Sequence, residues 1–454
     1  MDGTPACGDS ERVLSFKAHR GEHKEVRVGD EVVVESDSYM VWWQALVALI
    51  LPFCIALYLF FGLHYPWFIL ALPFLVAWAI LVLARQDLGA KVEKLESNTY
   101  AIEAKHLRCC EISTKKAQAI RASILFVGPL LARMGHVILP PPGGDVIGRR
   151  RLDTHFLAMQ QLGAEVKTNG VFDIRCNKLV AKDIFLDEAS VTGTENAIMA
   201  AVMAEGVTIL NNAACEPHVQ DLCNMLVSMG ARIEGIGSNR LIISGVEVLG
   251  GTDFTIGSDF MEVGSLIALA VVTGSEIEIE EAQPENLRMV QIGFAKLGVH
   301  WQVKGRNILV PKEQKLQVYH DMGGVLAKID DAPWPGFPPD LMSIMIVVAT
   351  QAQGTILIHE KMFESRMYFV DKLINMGAHI ILCDPHRAVI SGKTSLQAAC
   401  LSSPDVRAGM AMLIASLCAK GTSEIANIYQ IERGYENIWE RLNALGANIQ
   451  RVSS

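Results

Sequence analysis

Hydrophobic and polar positions divide the chain into contrasting stretches. Residues 26–34 alternate as Val-Arg-Val-Gly-Asp-Glu-Val-Val-Val, which predicts a strand with a Gly-Asp turn inside it. Residues 41–63 and 67–84 then run without a single charged side chain. Each is about long enough to cross a bilayer as a helix. Only His64-Tyr65-Pro66 separates them, so the pair predicts a tight transmembrane helical hairpin over residues 41–87. Trp42, Trp43, Tyr65 and Trp67 stand at its edges, where amphipathic rings favour the headgroup region. Lys17, Arg20, Lys24 and Arg27 precede the hairpin, and Arg85, Lys91 and Lys94 follow it. By the positive-inside rule both flanks, including the small segment 1–40, are expected in the cytoplasm. Two buried helices of a soluble core are the alternative, but such helices rarely go so long without charge. The apolar run starts too late, and is doubled, for a signal peptide.

After the hairpin one pattern recurs: an amphipathic helix, then Leu or Met-Gly-Ala (once Leu-Gly-Val), then a strand. It ends at Leu88-Gly89-Ala90, Leu162-Gly163-Ala164, Met229-Gly230-Ala231, Leu297-Gly298-Val299, Met376-Gly377-Ala378 and Leu445-Gly446-Ala447. Glycine is a natural helix C-cap, and the small residue after it lets the chain turn back at once. A spacing of roughly 70 residues repeated six times predicts six α/β units. The first is truncated: its Leu-Gly-Ala tail is present, but the hairpin stands where its opening strand and helix belong.

Composition narrows the function. The 454 residues allow two or three domains, and the 50% hydrophobic content is inflated locally by residues 41–84. A formal net charge of −9 argues against nucleic acid as a partner. Ten scattered cysteines, with only Cys109 and Cys110 adjacent, show no zinc or redox spacing and read as reduced thiols. Neither a metal nor a cofactor is expected.

Candidate chemistry concentrates in loops. Leu139-Pro-Pro-Pro-Gly-Gly-Asp-Val-Ile-Gly-Arg-Arg-Arg151 excludes regular structure and puts Asp145 beside three guanidiniums, a setting for a multiply charged anion. A basic surface loop with a solvated aspartate is the plainer alternative. Arg121, Arg366, Arg407 and Arg433 occupy distinctive contexts, though any one alone reads as a surface ion pair. Asp340 closes the rigid turn Pro335-Gly-Phe-Pro-Pro-Asp340. The residues by themselves say only this: six repeats, several arginines, two candidate carboxylates, and a phosphorylated substrate as one possibility.

Taken together these segments resemble the bacterial UDP-N-acetylglucosamine 1-carboxyvinyltransferases of the enolpyruvyl transferase family. The matching motifs are Arg121-Ala-Ser123 with Gly128-Pro-Leu130, the Pro-Gly-Gly-Asp-x-Ile-Gly loop, Phe337-Pro-Pro-Asp340, Phe363-Glu-Ser-Arg366, Asp405-Val-Arg-Ala408 and Glu432-Arg-Gly-Tyr-Glu436. They follow the family's order through about four fifths of the chain. The resemblance implies an inside-out α/β barrel of repeated units in two lobes, residues 88–257 and 258–454, with Ser258-Asp259 near the hinge. It implies transfer of the enolpyruvyl group of phosphoenolpyruvate to the 3-hydroxyl of UDP-N-acetylglucosamine, the committing step of peptidoglycan synthesis; the N-terminal hairpin would anchor this cytoplasmic catalytic region to the inner membrane. Asp145 then takes the place of the acid that protonates the methylene carbon, and Asp340 that of the aspartate near the attacking hydroxyl. Arg121, Arg150, Asp153, Thr154, Ser190, Val191 and Met362 fall at nucleotide-sugar and phosphate positions. Arg366, Arg407 and Arg433 match the arginines that grip phosphoenolpyruvate.

Three departures stand out. Most family members carry cysteine where Asp145 stands. Arg151 replaces a usual proline. The family's opening Ser-Gly-Ala-Lys-Asn, whose lysine binds phosphoenolpyruvate, is absent. Besides an active transferase, two readings remain open: a membrane-anchored pseudoenzyme or accessory protein, and a junction of two genes. Residues 5–85 more weakly resemble the RseC family of membrane proteins.

Overall fold

The computed structural model describes residues 12–17, 31–36, 88–96, 98–144 and 150–452. The predicted hairpin of residues 41–84 lies outside them. Among the described residues no helix is long and apolar enough to cross a membrane.

Among the described residues, twenty strands form seven small sheets. β1 (Arg12–Lys17) and β2 (Glu31–Ser36) pair antiparallel. The sequence alternation over residues 26–34 foresaw only the second of these, and residues 26–30 lie outside the described residues. β3 (Lys91–Glu96) and β4 (Thr99–Glu103) form an antiparallel pair. β5 (His136–Leu139), β6 (Glu165–Thr168) and β7 (Phe172–Arg175) make a sheet in the order β5-β7-β6. β8 (Asp183–Phe185), β9 (Val207–Asn211), β10 (Arg232–Glu234) and β11 (Arg240–Ser244) take the order β8-β9-β11-β10. β12 (Ile277–Ile279), β13 (Gln302–Lys304) and β14 (Asn307–Val310) follow as β12-β14-β13. β15 (Lys328–Asp330), β16 (Gly354–His359), β17 (Ile380–Asp384) and β18 (Arg387–Gly392) repeat the four-strand order as β15-β16-β18-β17. β19 (Cys400–Ser402) and β20 (Glu424–Ala426) form a parallel pair.

The two four-stranded sheets share one plan: a parallel first pair, then an antiparallel hairpin added to the second strand. Among the described residues, β3-β4 matches the hairpin of that plan and β19-β20 matches its parallel pair. β2 lies alongside β20, with Cα atoms within 8 Å, but shares no ladder with it.

Twelve α-helices connect the described strands: α1 (Thr114–Ala119), α2 (Val127–Met134), α3 (Asp153–Gln161), α4 (Val191–Ala201), α5 (Pro217–Ser228), α6 (Phe260–Thr273), α7 (Arg288–Ala295), α8 (Met342–Gln351), α9 (Val370–Asn375), α10 (Val406–Cys418), α11 (Tyr429–Glu432) and α12 (Ile438–Ala444). α8 reads Met-Ser-Ile-Met-Ile-Val-Val-Ala-Thr-Gln, and every one of its residues is buried. A helix apolar on all sides belongs in a core rather than on a surface. It packs against α6 and α10, so three such helices form the centre of this half and the sheets lie outside them. The buried apolar side chains fall into two separate cores, one from Leu88 to Ile243 and one from Phe260 to Ile449.

The repeat glycines are real caps. Gly89, Gly163, Gly230, Gly298, Gly377 and Gly446 all have φ between +81° and +104°. In the last five, the glycine N–H and the next N–H reach back to helix carbonyls in one shared pattern: Gly163 to Gln160 and Ala164 to Met159, and likewise through Gly446 to Asn443 and Ala447 to Leu442. A side chain would be strained at each glycine, which is why the motif repeats.

Candidate active site

Three helix starts converge in the second half of the chain. Phe337 is buried against Gly293, whose added Cβ would lie 2.4 Å from the ring. This seats the short turn Pro339–Leu341 that leads into α8 and presents Asp340. Arg366 opens the turn Arg366–Phe369 ahead of α9. Arg407 lies in the first turn of α10, capped by Asp405, which accepts from the N–H of Arg407 (2.8 Å) and of Ala408 (3.0 Å). Asp340 joins the other two: its Oδ1 accepts from Arg366 Nη2 at 2.8 Å and its Oδ2 from Arg407 Nε at 3.0 Å. Burial by itself would raise the Asp340 pKa, but the two guanidiniums outweigh it and hold the carboxyl down to about 2. Arg366 is 4% exposed and stacks over Phe363 at 4.8 Å. Arg407 stacks over Tyr435 at 5.2 Å, and the Tyr435 hydroxyl is 2.8 Å from that of Ser265. Arg433 donates to Gln430 Oε1 at 2.8 Å, and Met362 is 40% exposed beside this group on the chain.

The first half supplies a second cluster. Arg121 Nη2 donates to the carbonyls of Arg150 and Arg151, 3.0 Å each, and so pins the far arm of the Pro-Gly loop. Burial, then the nearby Arg150 charge, lowers its pKa to about 10, which leaves it cationic at neutral pH. Gly144, at φ +119°, sits where an added Cβ would be 2.9 Å from Arg121 and 3.3 Å from Arg150. The loop stem therefore lies on these two arginines. Asp145 itself falls outside the described residues. Arg151 bridges Asp153 (2.7 Å) and Asp187 (3.2 Å), and Thr154 donates to the other Asp187 oxygen at 2.7 Å. Ser190 caps α4 by accepting from the Gly193 N–H at 3.2 Å, and Val191 is the first residue of that helix. Beneath Arg121 the buried His155 is kept neutral: burial, then the arginine's charge, pushes its pKa down to about 4. Its Nδ1 accepts from Asn196 at 2.9 Å, which leaves the Nε2 proton for Thr192 Oγ1 at 3.2 Å.

The halves meet beside the Asp340 turn. Cys215 Sγ donates to the Trp334 carbonyl at 3.7 Å. His218, in the first turn of α5, has its pKa lowered by burial, opposed by the charges of Glu216, Asp259 and Asp340. The structure thus joins Asp340, Arg366 and Arg407 directly, and Arg121, Arg150, Asp153 and Thr154 in a second group. Sequence reasoning missed Tyr435, Asp187, His155 and His218. Tyr435 stands inside a quoted motif; for the others no local signal marks them.

A family model described as EPSP synthase (3-phosphoshikimate 1-carboxyvinyltransferase) matches residues 80–442. The UDP-N-acetylglucosamine 1-carboxyvinyltransferase of Treponema denticola is 60% identical over 365 residues, 80% of this chain and 86% of that protein. This chain belongs to the enolpyruvyl transferase family. The enzyme of the same description from Treponema pallidum is 59% identical over 82% of this chain and 87% of its own length. That from Bradyrhizobium diazoefficiens is 58% identical over 81% and 85%. The crystal structure of the enolpyruvyl transferase NikO from Streptomyces tendae superposes with a TM-score of 0.76, covering 98% of this chain and 99% of that one. At 19% identity that likeness speaks for the fold alone. It supports the inside-out α/β architecture that the family implies.

Proposed function

We propose that this enolpyruvyl transferase moves the enolpyruvyl group of phosphoenolpyruvate onto the 3-hydroxyl of UDP-N-acetylglucosamine and releases phosphate, the first committed step of peptidoglycan synthesis. The observation that carries this reading is Asp340 held between Arg366 and Arg407 at 2.8 and 3.0 Å. Residues 88–257 and 258–454 act as two lobes, a division supported by the two separate cores. Arg121, Arg150, Asp153, Thr154, Ser190, Val191 and Met362 receive the nucleotide sugar and its phosphates. Arg366, Arg407 and Arg433 take the anionic phosphoenolpyruvate. A carboxylate gripped by two guanidiniums is a poor base. An arriving anion that shares those guanidiniums weakens their hold on Asp340 and raises its basicity where the sugar hydroxyl must lose its proton. Asp145 then gives its proton to the methylene carbon as the new C–O bond forms. The methyl group so made returns a proton to the Asp145 carboxylate as phosphate leaves, which restores the double bond, and fixed cations meet the departing charge.

The missing Lys-Asn motif favours a second reading, a membrane-anchored protein that keeps the sugar site but turns over slowly or not at all. Phosphate release with both substrates present separates the two. Substrate-dependent release, slower than in an ordinary family member, is expected; none from a folded protein would leave the second reading. Release at the full family rate would mean that another basic residue replaces the lysine. We also read the charge-free stretches at 41–63 and 67–84 as an inner-membrane anchor with the catalytic region on the cytoplasmic side. Retention of the full chain in carbonate-washed membranes is the expected outcome, and its release would overturn the anchor.

A further inference from the structure

Behind Arg366 lies a carboxyl group that the reaction as described does not use. Glu360 follows β16 and is 0% exposed. Its backbone is fixed on both sides: its N–H donates to the His386 carbonyl at 2.8 Å, and His386 Nδ1 meets the Glu360 carbonyl at 2.8 Å. Its side chain is not. Neither carboxyl oxygen has a donor in bonding geometry, and the facing Arg366 Nε is 3.8 Å away and equally unpartnered. An ionised carboxylate left so would carry a heavy desolvation cost. What Glu360 does face is Asp331, also 0% exposed, whose side chain and charge favour the protonated form of Glu360. Two carboxyl groups set together in a buried site hold a proton rather than two negative charges. Asp331 already accepts the N–H groups of Lys361 (2.5 Å) and Met362 (3.2 Å), which leaves the orphaned Glu360 as the carboxyl that takes the proton.

We infer that Glu360 is a positioning residue for phosphoenolpyruvate binding: a protonated, neutral carboxyl that packs behind the Arg366 guanidinium without cancelling its charge. The inference rests on the function proposed above. With Glu360 neutral, Asp331 and Asp340 balance Arg366 and Arg407. Ionised, it would place a further negative charge behind the arginine that must attract an anion. Burial, then the side chain and charge of nearby Asp331, push the Glu360 pKa up to about 9, with Arg366 and the Phe363 backbone pulling the other way. The other charged or titratable neighbours are Asp340 across Arg366, His386 on the Glu360 backbone, and Lys361, whose Nζ is 2.9 Å from Asp330.

The test is the dissociation constant of phosphoenolpyruvate, measured by calorimetry on the full chain with UDP-N-acetylglucosamine present, from pH 7 to pH 10. The unmodified chain should lose affinity by about tenfold as Glu360 ionises, the scale of one added charge a few ångströms from the bound anion. Glu360→Gln, which keeps the volume and a donor behind Arg366 but cannot ionise, should lack that alkaline loss, and Glu360→Ala should bind weakly at every pH. Parallel profiles for the unmodified chain and Glu360→Gln would overturn the inference. A second readout does not depend on binding: the infrared difference between these two proteins at pH 7.5 should contain the carbonyl stretch of a protonated carboxylic acid. Its absence overturns the inference by itself. If no form binds phosphoenolpyruvate, the substrate reading fails, and the infrared band still decides the state of Glu360.

Discussion

Replacing Asp340 with asparagine removes the charge that joins Arg366 to Arg407 and nearly preserves its volume. The cost can be worked from the depressed acidity of the carboxyl. Its pKa is about 2 in the folded chain against 3.8 for the unperturbed group, a gap of roughly two units, or about 2 kcal/mol of stability at neutral pH. A carboxyl whose folded pKa lies below its unfolded value stabilises above the unfolded pKa, and that contribution is lost as pH falls through the folded one. The stability gap between the unmodified chain and Asp340→Asn should therefore be full at pH 7, about half that at pH 3, about a sixth at pH 2, and gone near pH 1. Asp340 is 31% exposed, so solvent screening makes the figure an upper value. With a urea dependence of about 2 kcal/mol per molar for a unit of this size, the unfolding midpoint should drop by about 1 M at pH 7. Near-ultraviolet circular dichroism reads this from Trp301, Trp334 and Trp439, all in the second half. Equal midpoints at pH 7, or a gap that stays constant from pH 5 to pH 3, would refute the reasoning.

Asn196→Ala should destabilise the first core by roughly 3 kcal/mol, because one side chain serves the Gly128 N–H (2.9 Å), the Ile124 carbonyl (2.8 Å) and His155 (2.9 Å), all buried; thermal unfolding measures it, and a loss under 1 kcal/mol would contradict those contacts. Activity of this chain should resist fosfomycin, since that epoxide needs a thiolate nucleophile and no cysteine lies in residues 139–151. Asp145→Cys should gain time-dependent inactivation, and equal loss in both forms would displace Asp145 from its assigned position.

How much of this could be read from the chain depends on whether each feature is local. The helix-ending glycines were legible because the left-handed turn and its backbone hydrogen bonds are set within six residues. The Leu-Gly-Ala tail of the first unit was legible for the same reason; what precedes it at residues 37–87 lies outside the described residues. The union of Asp340, Arg366 and Arg407 was not legible from the residues alone. It joins three helix starts separated by up to 67 positions, and only family resemblance had placed them together. Glu360 shows the opposite limit. In sequence it is one more acidic residue in His-Glu-Lys, and only burial facing Asp331 makes it unusual. The strand at Glu31–Ser36 was foreseen, whereas its partner at Arg12–Lys17 carries too little alternation to be noticed. The apolar hairpin belongs to residues the structure does not describe, and its charge pattern remains the argument for it.

The separation of the two buried cores has a thermodynamic consequence. Each half hides its own apolar surface, so each can melt as a cooperative unit, and heating the free protein should give two overlapping heat-absorption peaks rather than one. A ligand that touches both Arg121 in one half and Arg407 in the other binds only when both are folded. Its binding energy is then withheld from any state in which either half has opened. Saturation with such a ligand turns two units into one, and the merging of the peaks reports the bridge even where no chemistry follows.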